Sequence, residues 1–342
     1  MIGIGVVGYG YWGPNLARCF SETDGCRLVA IADANPAALA RAAKRHPGAD
    51  LVDSWKLLLA NPDVDAVVIA TPVRTHYEIA HAGILSGRHV LVEKPMTETV
   101  TQAETLNEMA ARRNVTLMVD HTFVYTPAVR KIRELIQRGE IGDIYYYDST
   151  RVNLGIFQSD VNVVWDLAVH DLAILQFLLD DEPIAVSANG ARHLAGSPEN
   201  MAHVTLYFGR GTVAHLSVNW LAPVKVRRTL IGGSKKMIVY DDLEPSEKVK
   251  VYDRGIQAEE SSDAIQRMRV AYRTGDMWAP QIGVKEALAS EAEHFLDCIR
   301  GGGEPITSGR VGLRVVEALE GATQSMSRRG HPVQLAQVLR AS

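Results

Sequence analysis

Gly8-Tyr9-Gly10-Tyr11-Trp12-Gly13 spells G-x-G-x-x-G, directly after an apolar run and before a helical pattern. In that setting the pattern reads as a dinucleotide-binding turn. Gly8 permits the tight turn, Gly10 lets the backbone approach a pyrophosphate, and Gly13 lets helix and strand pack closely. The helix N-terminus then offers N–H groups and a partial positive charge to the phosphates. Asp33 follows about 20 residues later, at the end of the second apolar run. A carboxylate there accepts hydrogen bonds from the adenosine ribose hydroxyls and repels a 2′-phosphate, which points to NAD rather than NADP. The plain alternative is a glycine turn plus a helix-capping aspartate. The joint register of strand, loop, helix and acid argues against it.

Two further groups have chemical potential. Ala70-Thr71-Pro72 and Glu93-Lys94-Pro95 each follow an apolar run. They fall at the carboxyl ends of parallel strands, where open α/β sheets bind ligands. A lysine pressed against a buried strand end is costly without a task or a partner. Glu93 is an obvious ion-pair partner, and an ordinary polar turn explains the tripeptide equally well. Asp166 and His170 are spaced to share one helix face, with Asp171 a step away. A neighbouring carboxylate orients an imidazole and raises its basicity. On a helix otherwise made of Leu167, Ala168, Val169, Leu172, Ile174 and Leu175, a satisfied core histidine is the commoner outcome, and spacing alone does not decide.

These residues need a scaffold, and the period of the chain supplies one. Ile2–Val7, Leu28–Ala32, Val64–Ala70, His89–Val92 and Thr116–Val119 read as strands. Between them Pro14–Ser21, a helix from Asn35-Pro36 to about Arg45, Ser54–Leu59 (capped by Asp53), Tyr77–Ser86 and Thr99–Arg113 read as helices. Alternating strands and helices predict βαβ units and a mostly parallel sheet. After about residue 123 the rhythm changes. Val129–Arg138 reads as a helix, Ile144–Val152 as a strand and Leu167–Leu179 as a buried helix. From Ile184 to Tyr252 strand follows strand. Ser261–Trp278 is a polar excursion, and helices over Val284–Cys298 and Val311–Ser327 close the chain. The expected fold is α/β: a Rossmann dinucleotide-binding domain over 1–122, then an α+β domain over 123–342 with a large, mostly antiparallel open sheet and C-terminal helices packing back.

Composition agrees. At 342 residues the chain suits about two domains. A net charge of −4 leaves no basic excess for phosphate neutralisation, so nucleic acid is not an expected partner. With 46 % apolar and 22 % charged residues the chain is globular, not disordered. No apolar stretch is long enough to span a bilayer. The three cysteines form no C-x-x-C pair, which suits a reducing compartment. The expectation is a soluble cytoplasmic protein with no membrane partner.

The glycine loop, Ala70-Thr71-Pro72 with Thr75-His76, Glu93-Lys94-Pro95, and Trp165-Asp166-Leu167 with His170-Asp171 together resemble the Gfo/Idh/MocA oxidoreductases. The resemblance runs over nearly the whole chain. Tyr272-Arg273-Thr274-Gly275-Asp276, Pro280 and the closing helices are similar above all to the branch acting on nucleotide-linked sugars. Glu286-Ala287-Leu288 departs from it, since many relatives carry proline in the middle. The resemblance implies that Gly8, Gly10, Tyr11, Trp12, Gly13, Asp33, Thr71, Pro72, His76, Glu93 and Lys94 hold NAD. It further implies that Lys94, His170 and Asp166 carry catalysis. His170 is then the leading base for a hydroxyl proton, Lys94 hydrogen-bonds the same oxygen, and Asp166 sets the state of His170. Which of Lys94 and His170 finally takes the proton stays open.

Beside Lys94, Asp166 and His170, the candidates to touch substrate are Arg151 and Asn153, on the strand before the catalytic helix, and Arg273, whose guanidinium suits a diphosphate. Solvated surface arginines are the alternative. Asp120-His121 ends a strand near the expected cleft, and a hinge explains it as well. No metal is expected, because Asp166 and His170 have no third ligand in sequence. The leading expectation is NAD-dependent oxidation at C3 of a UDP-N-acetylhexosamine, UDP-GlcNAc or its uronic acid. The alternatives are an inositol or polyol dehydrogenase, a dTDP-sugar 3-ketoreductase, which Asp33 disfavours, and an NAD-binding regulator without turnover. The second half has more strands than its helices can cover, so an uncovered apolar sheet face predicts a homodimer or homotetramer.

Overall fold

The computed structural model describes residues 1–155, 161–258 and 270–335. It resolves into two compact units, Met1–Thr126 with Lys285–Glu320, and Pro127–Val284 with Gly321–Ser342.

The first unit is built on six parallel strands, β1 (Ile2–Val7), β2 (Cys26–Ala32), β3 (Asp50–Val52), β4 (Ala66–Ile69), β5 (His89–Glu93) and β6 (Leu117–Asp120), in the order β3-β2-β1-β4-β5-β6. That is the doubly wound order, with its reversal between β1 and β4. β4 is buried along its whole length and β1 along all but its first residue. Their unbroken apolar runs reflect a sheet covered on both faces. The helices α1 (Gly13–Glu22), α2 (Pro36–Arg45), α3 (Trp55–Ala60), α4 (His76–Leu85) and α5 (Val100–Arg113) provide the connections. α2 starts where its sequence says, since Asn35 caps it by accepting from the Ala37 amide at 2.9 Å and Pro36 sits at its start. α3 corrects an expectation: its cap is Ser54, whose hydroxyl accepts from the Lys56 amide, not Asp53. The three-residue β3 has no buried residue and therefore no apolar run to announce it.

The helix Ala287–Gly301 and most of the helix Gly309–Ser327 also belong to this unit. Phe295 meets Phe20 of α1 edge-on at 6.3 Å. Gly312 lies so close to β6 that an added Cβ would stand 2.6 Å from Val119 and 2.9 Å from Met96. Chain order therefore does not bound this unit: apolar residues near position 300 complete a core begun at position 1.

In the second unit, β7 (Ile144–Leu154), β8 (Pro183–Ala191), β9 (Met201–Phe208), β10 (Val213–Asn219), β11 (Leu221–Gly233), β12 (Met237–Asp241), β13 (Val249–Tyr252), β16 (Met277–Trp278) and β17 (Val333–Gln334) form one sheet, ordered β16-β13-β12-β11-β7-β10-β9-β8-β17. Only the β7–β10 pair is parallel. β14 (Gly255–Ala258) and β15 (Val270–Arg273) make a separate hairpin. β15 and β16 lie within the expected polar excursion Ser261–Trp278, which is therefore partly strand, and its residues 261–269 lie outside the described part. One sheet face, with Val204, Leu206, Leu216, Val218 and Ile231, is buried core. On the other, Thr205 pairs with His215 and His203 with Ser217 across β9 and β10, and His203, Tyr207 and His215 are exposed. The expectation of an apolar uncovered face is thus corrected: the face is mixed, because alternation along these strands places polar side chains on it.

The helices α6 (Pro127–Gln137) and α7 (Val169–Leu178) also belong to this unit. Arg130 and Arg133 of α6 stack on Phe177 of α7, at 5.4 and 5.9 Å from the ring centre. The expected helix over Leu167–Leu179 is in fact two segments, a π-helical turn Val164–Ala168 running into α7. No helix among the described residues is long and apolar enough to cross a membrane.

Candidate active site

The glycine turn is shaped for a dinucleotide. Gly8 has φ +93°, and a Cβ on it would stand 2.6 Å from the Ala70 carbonyl oxygen. A Cβ on Gly13 would stand 2.0 Å from the Gly8 carbonyl oxygen, so close packing of α1 on β1 requires glycine there. Gly10 differs, with nothing within 4 Å of its Cβ position. Its open side is where a pyrophosphate can approach the backbone. No side chain caps the start of α1. Tyr11 and Trp12 are 81 % and 42 % exposed and stack edge-on, so their side chains lie outside the turn. A cavity of about 310 Å³ adjoins the turn, lined among others by Gly8, Gly10, Asp33, Asp53, Trp55 and Thr71. Asp33 accepts from the Tyr9 amide at 2.6 Å and the Asn35 amide at 2.7 Å. Two amide bonds leave half of a carboxylate's acceptor positions for ribose hydroxyls. These residues fit NAD.

The other half of this sheet carries Lys94. Its amide donates to Glu93 Oε2 at 3.1 Å, and the Lys94-Pro95 bond is cis. His76 ties the neighbouring loops together: one ring nitrogen meets the Pro95 carbonyl at 2.9 Å and the other the Thr71 carbonyl at 2.7 Å. Burial outweighs these bonds and lowers the His76 pKa. At 1 % exposure His76 shapes the ligand loops from beneath. Thr71 and Thr75 share a hydroxyl hydrogen bond at 2.7 Å, while Pro72 is exposed. Glu93 and Asp120 are register partners at the ends of β5 and β6, and both are buried. Burial first, then Asp120, pushes Glu93 well above the usual carboxylate range. His121 is fully buried and pushed down to about 3, by burial and then by the Lys94 charge.

In the second unit Asp166 sits in the π-helical turn and His170 in the first turn of α7, both partly exposed. Asp166 Oδ2 accepts from the indole of the fully buried Trp220 at 2.9 Å. Asp166 and His170 stand four residues apart across the junction of the π-helical turn with α7. Arg151 is 5 % exposed and grips Asp171, with Nε at 2.8 Å and Nη2 at 3.3 Å. Ser149 donates to the same carboxylate at 2.8 Å. Arg151 therefore anchors α7 to β7. Asn153 is partly exposed, its amide 3.5 Å from the Leu154 carbonyl. Arg273 is engaged by Asp253 and by the Lys235 carbonyl.

Residues 2–121 match the oxidoreductase family with NAD-binding Rossmann fold named Gfo/Idh/MocA, and residues 129–239 match the C-terminal domain of the same family. The chain belongs to the Gfo/Idh/MocA oxidoreductases. It is 29 % identical over 317 residues to a UDP-N-acetylglucosamine 3-dehydrogenase of Acidithiobacillus ferrooxidans, covering 92 % of this chain and 94 % of that one. A crystal structure of that dehydrogenase superposes with a TM-score of 0.80 at 27 % identity, over 96 % of this chain and 99 % of the other. The chain is also 26 % identical to an inositol 2-dehydrogenase of Rhizobium meliloti, over 95 % and 97 % of the two chains. As a Gfo/Idh/MocA member it is an NAD-dependent oxidoreductase.

Reading by motif missed Trp220, the partner of Asp166, and Glu291, which faces Asp120 from the helix Ala287–Gly301. Trp220 closes a strand and had a strand's ordinary signal. Glu291 had none: one carboxyl among the polar residues of an amphipathic helix reads as solvated, and only tertiary structure buries it.

Proposed function

We propose that the protein is a sugar dehydrogenase that oxidises a secondary hydroxyl, at C3 of a UDP-linked N-acetylhexosamine. The observation that carries this reading is near-full-length similarity to UDP-N-acetylglucosamine 3-dehydrogenase. Bound NAD supplies the hydride acceptor. His170 takes the hydroxyl proton on a ring nitrogen. The Lys94 ammonium donates a hydrogen bond to the same oxygen and stabilises negative charge developing on it. Asp166, itself held by Trp220, orients His170. Glu93 and His76 shape the loops that carry Lys94. Arg151 acts through Asp171 on the seating of α7, Asn153 is a candidate to touch the substrate, and Arg273 is a candidate for its diphosphate. The ketone is reduced by the reverse steps.

A second reading, oxidation of a free inositol, is supported by the inositol 2-dehydrogenase, which the chain matches almost end to end. The two separate in one assay. Purified protein is mixed with NAD and a panel of UDP-N-acetylhexosamines, their uronic acids and free inositols, and NADH absorbance is followed. A parallel assay adds a 2-oxo acid acceptor and follows the ketone and 2-hydroxy acid products, so that tightly held cofactor can turn over. Signal with the UDP-sugars is expected, and signal with inositol alone overturns the nucleotide-sugar reading. Self-association as a homodimer or homotetramer, in the cytoplasm, belongs to the same proposal.

A further inference from the structure

Three carboxyl groups meet at the carboxyl edge of the Rossmann sheet. Glu93 ends β5, Asp120 ends β6 directly opposite it, and Glu291 enters from the helix Ala287–Gly301. Their exposures are 8 %, 3 % and 0 %. The Lys94 amide donates to Glu93, and the Thr122 hydroxyl donates to Asp120 Oδ1. Asp120 Oδ2 and both oxygens of Glu291 make no hydrogen bond of ordinary geometry, although Asp120 and Thr122 face Glu291. The other titratable groups facing the cluster are Lys94, the neutral His121 beside it, and Cys19 of α1. The described residues contain no group arranged to hold a metal ion. Carboxyl groups this close in a dry interior disfavour one another's ionised forms, and Glu93 and Glu291 both face Asp120. Burial and mutual repulsion raise both Glu93 and Glu291 well above the usual carboxylate range.

The placement gives these protons a use. The cavity beside Asp33, Asp53 and Trp55 lies on the β1–β3 half of the sheet and suits the adenosine end of the cofactor. In a doubly wound sheet the nicotinamide end then belongs to the β4–β6 half, where the cluster sits. NAD+ and NADH carry the same pyrophosphate and differ by one positive charge on the nicotinamide ring. A cation brought to a low-dielectric carboxyl cluster favours its ionised form. We propose that Glu93 and Glu291, packed against Asp120, discriminate between the oxidation states of the cofactor by proton exchange: the pair gives up a proton when NAD+ binds and keeps it when NADH binds. Between the proton affinities of the free and NAD+-bound cluster, NAD+ binding then strengthens as pH rises. The inference depends on NAD binding and not on which alcohol is oxidised.

The test is calorimetric titration of cofactor-free, full-length protein with NAD+ and, separately, NADH, in buffers of different ionisation enthalpy. The buffer dependence counts protons. Net release is expected for NAD+, approaching one proton, with a clearly smaller count for NADH. A one-proton release raises NAD+ affinity by up to about tenfold per pH unit, while NADH affinity stays flatter. Glu291→Gln removes a titrating group and Asp120→Asn removes the carboxyl that both glutamates face, each keeping the shape, so the gap between the two cofactors shrinks in them. Equal proton counts for NAD+ and NADH in the native protein overturn the proposal, and that comparison needs no variant to fold. A gap left undiminished in both folded variants removes the assignment to this cluster. Either failure leaves the substrate reading intact, since no substrate is present.

Discussion

His121 has both ring nitrogens buried without a hydrogen-bond partner. Its folded pKa of about 3 lies below the ordinary value of 6.5. Neutral His121 therefore favours the folded state fully above pH 6.5, and this contribution is lost as pH falls from 6.5 towards 3, at about 1.4 kcal/mol per pH unit. Glu93 and Glu291 act with the opposite sign, because their raised values make folding less favourable as pH rises from 4.5 upward. Replacing His121 by glutamine should flatten the decline of melting temperature on the acid side, which thermal denaturation between pH 7 and 4 would reveal (an unchanged slope assigns acid sensitivity elsewhere). At Asp33, substitution by alanine removes the acceptor for ribose hydroxyls and the repulsion of a 2′-phosphate. NAD affinity should fall roughly 10- to 100-fold and NADP discrimination should narrow, as read by fluorescence titration of both cofactors. Asp33 was legible because its partners are set by a local motif. Glu291 was not, because its partner lies far away along the chain and a buried carboxyl has no local signature.

The glycine turn and α7 show how elements position these residues. Gly8→Ala places a Cβ 2.6 Å from the Ala70 carbonyl at a positive φ, so the junction of β1 and α1 must shift. Loss of NAD binding is expected from an otherwise folded protein, and retained binding would show that the turn tolerates a wider path. α7 rests on a buried ion pair. Asp171→Asn leaves the Arg151 charge without its carboxylate and should cost about 3–5 kcal/mol of stability, measured by denaturant unfolding. A cost below about 1 kcal/mol would mean that Arg151 does not anchor the helix. The boundaries of α2 were readable from Asn35-Pro36, whereas the π-helical turn at Val164–Ala168 was not. Its apolar residues fit an α-helical period equally well, and tertiary contacts such as Trp220 to Asp166 decide the local winding.

At the level of the whole chain, the change of period near residue 123 marks where the βαβ units stop, but it does not show that Lys285–Glu320 returns to the first unit. That return depends on Phe295 meeting Phe20 and Gly312 meeting Met96, contacts no local pattern encodes. The proposed self-association is tested by sedimentation, where a dimer or tetramer is expected that a charge placed on the exposed sheet face by Tyr207→Asp weakens. The proposed chemistry also joins residues far apart in sequence, Lys94 and His170. A double-mutant cycle in the NADH-forming assay tests this most directly. Lys94→Ala and His170→Ala should each lower kcat by at least about 100-fold while NAD binding persists, and the double variant should fall less than about tenfold below the worse single one, because both groups serve one oxygen. Losses that multiply, or near-native turnover in either single variant, would contradict joint action of the two residues on a single hydroxyl.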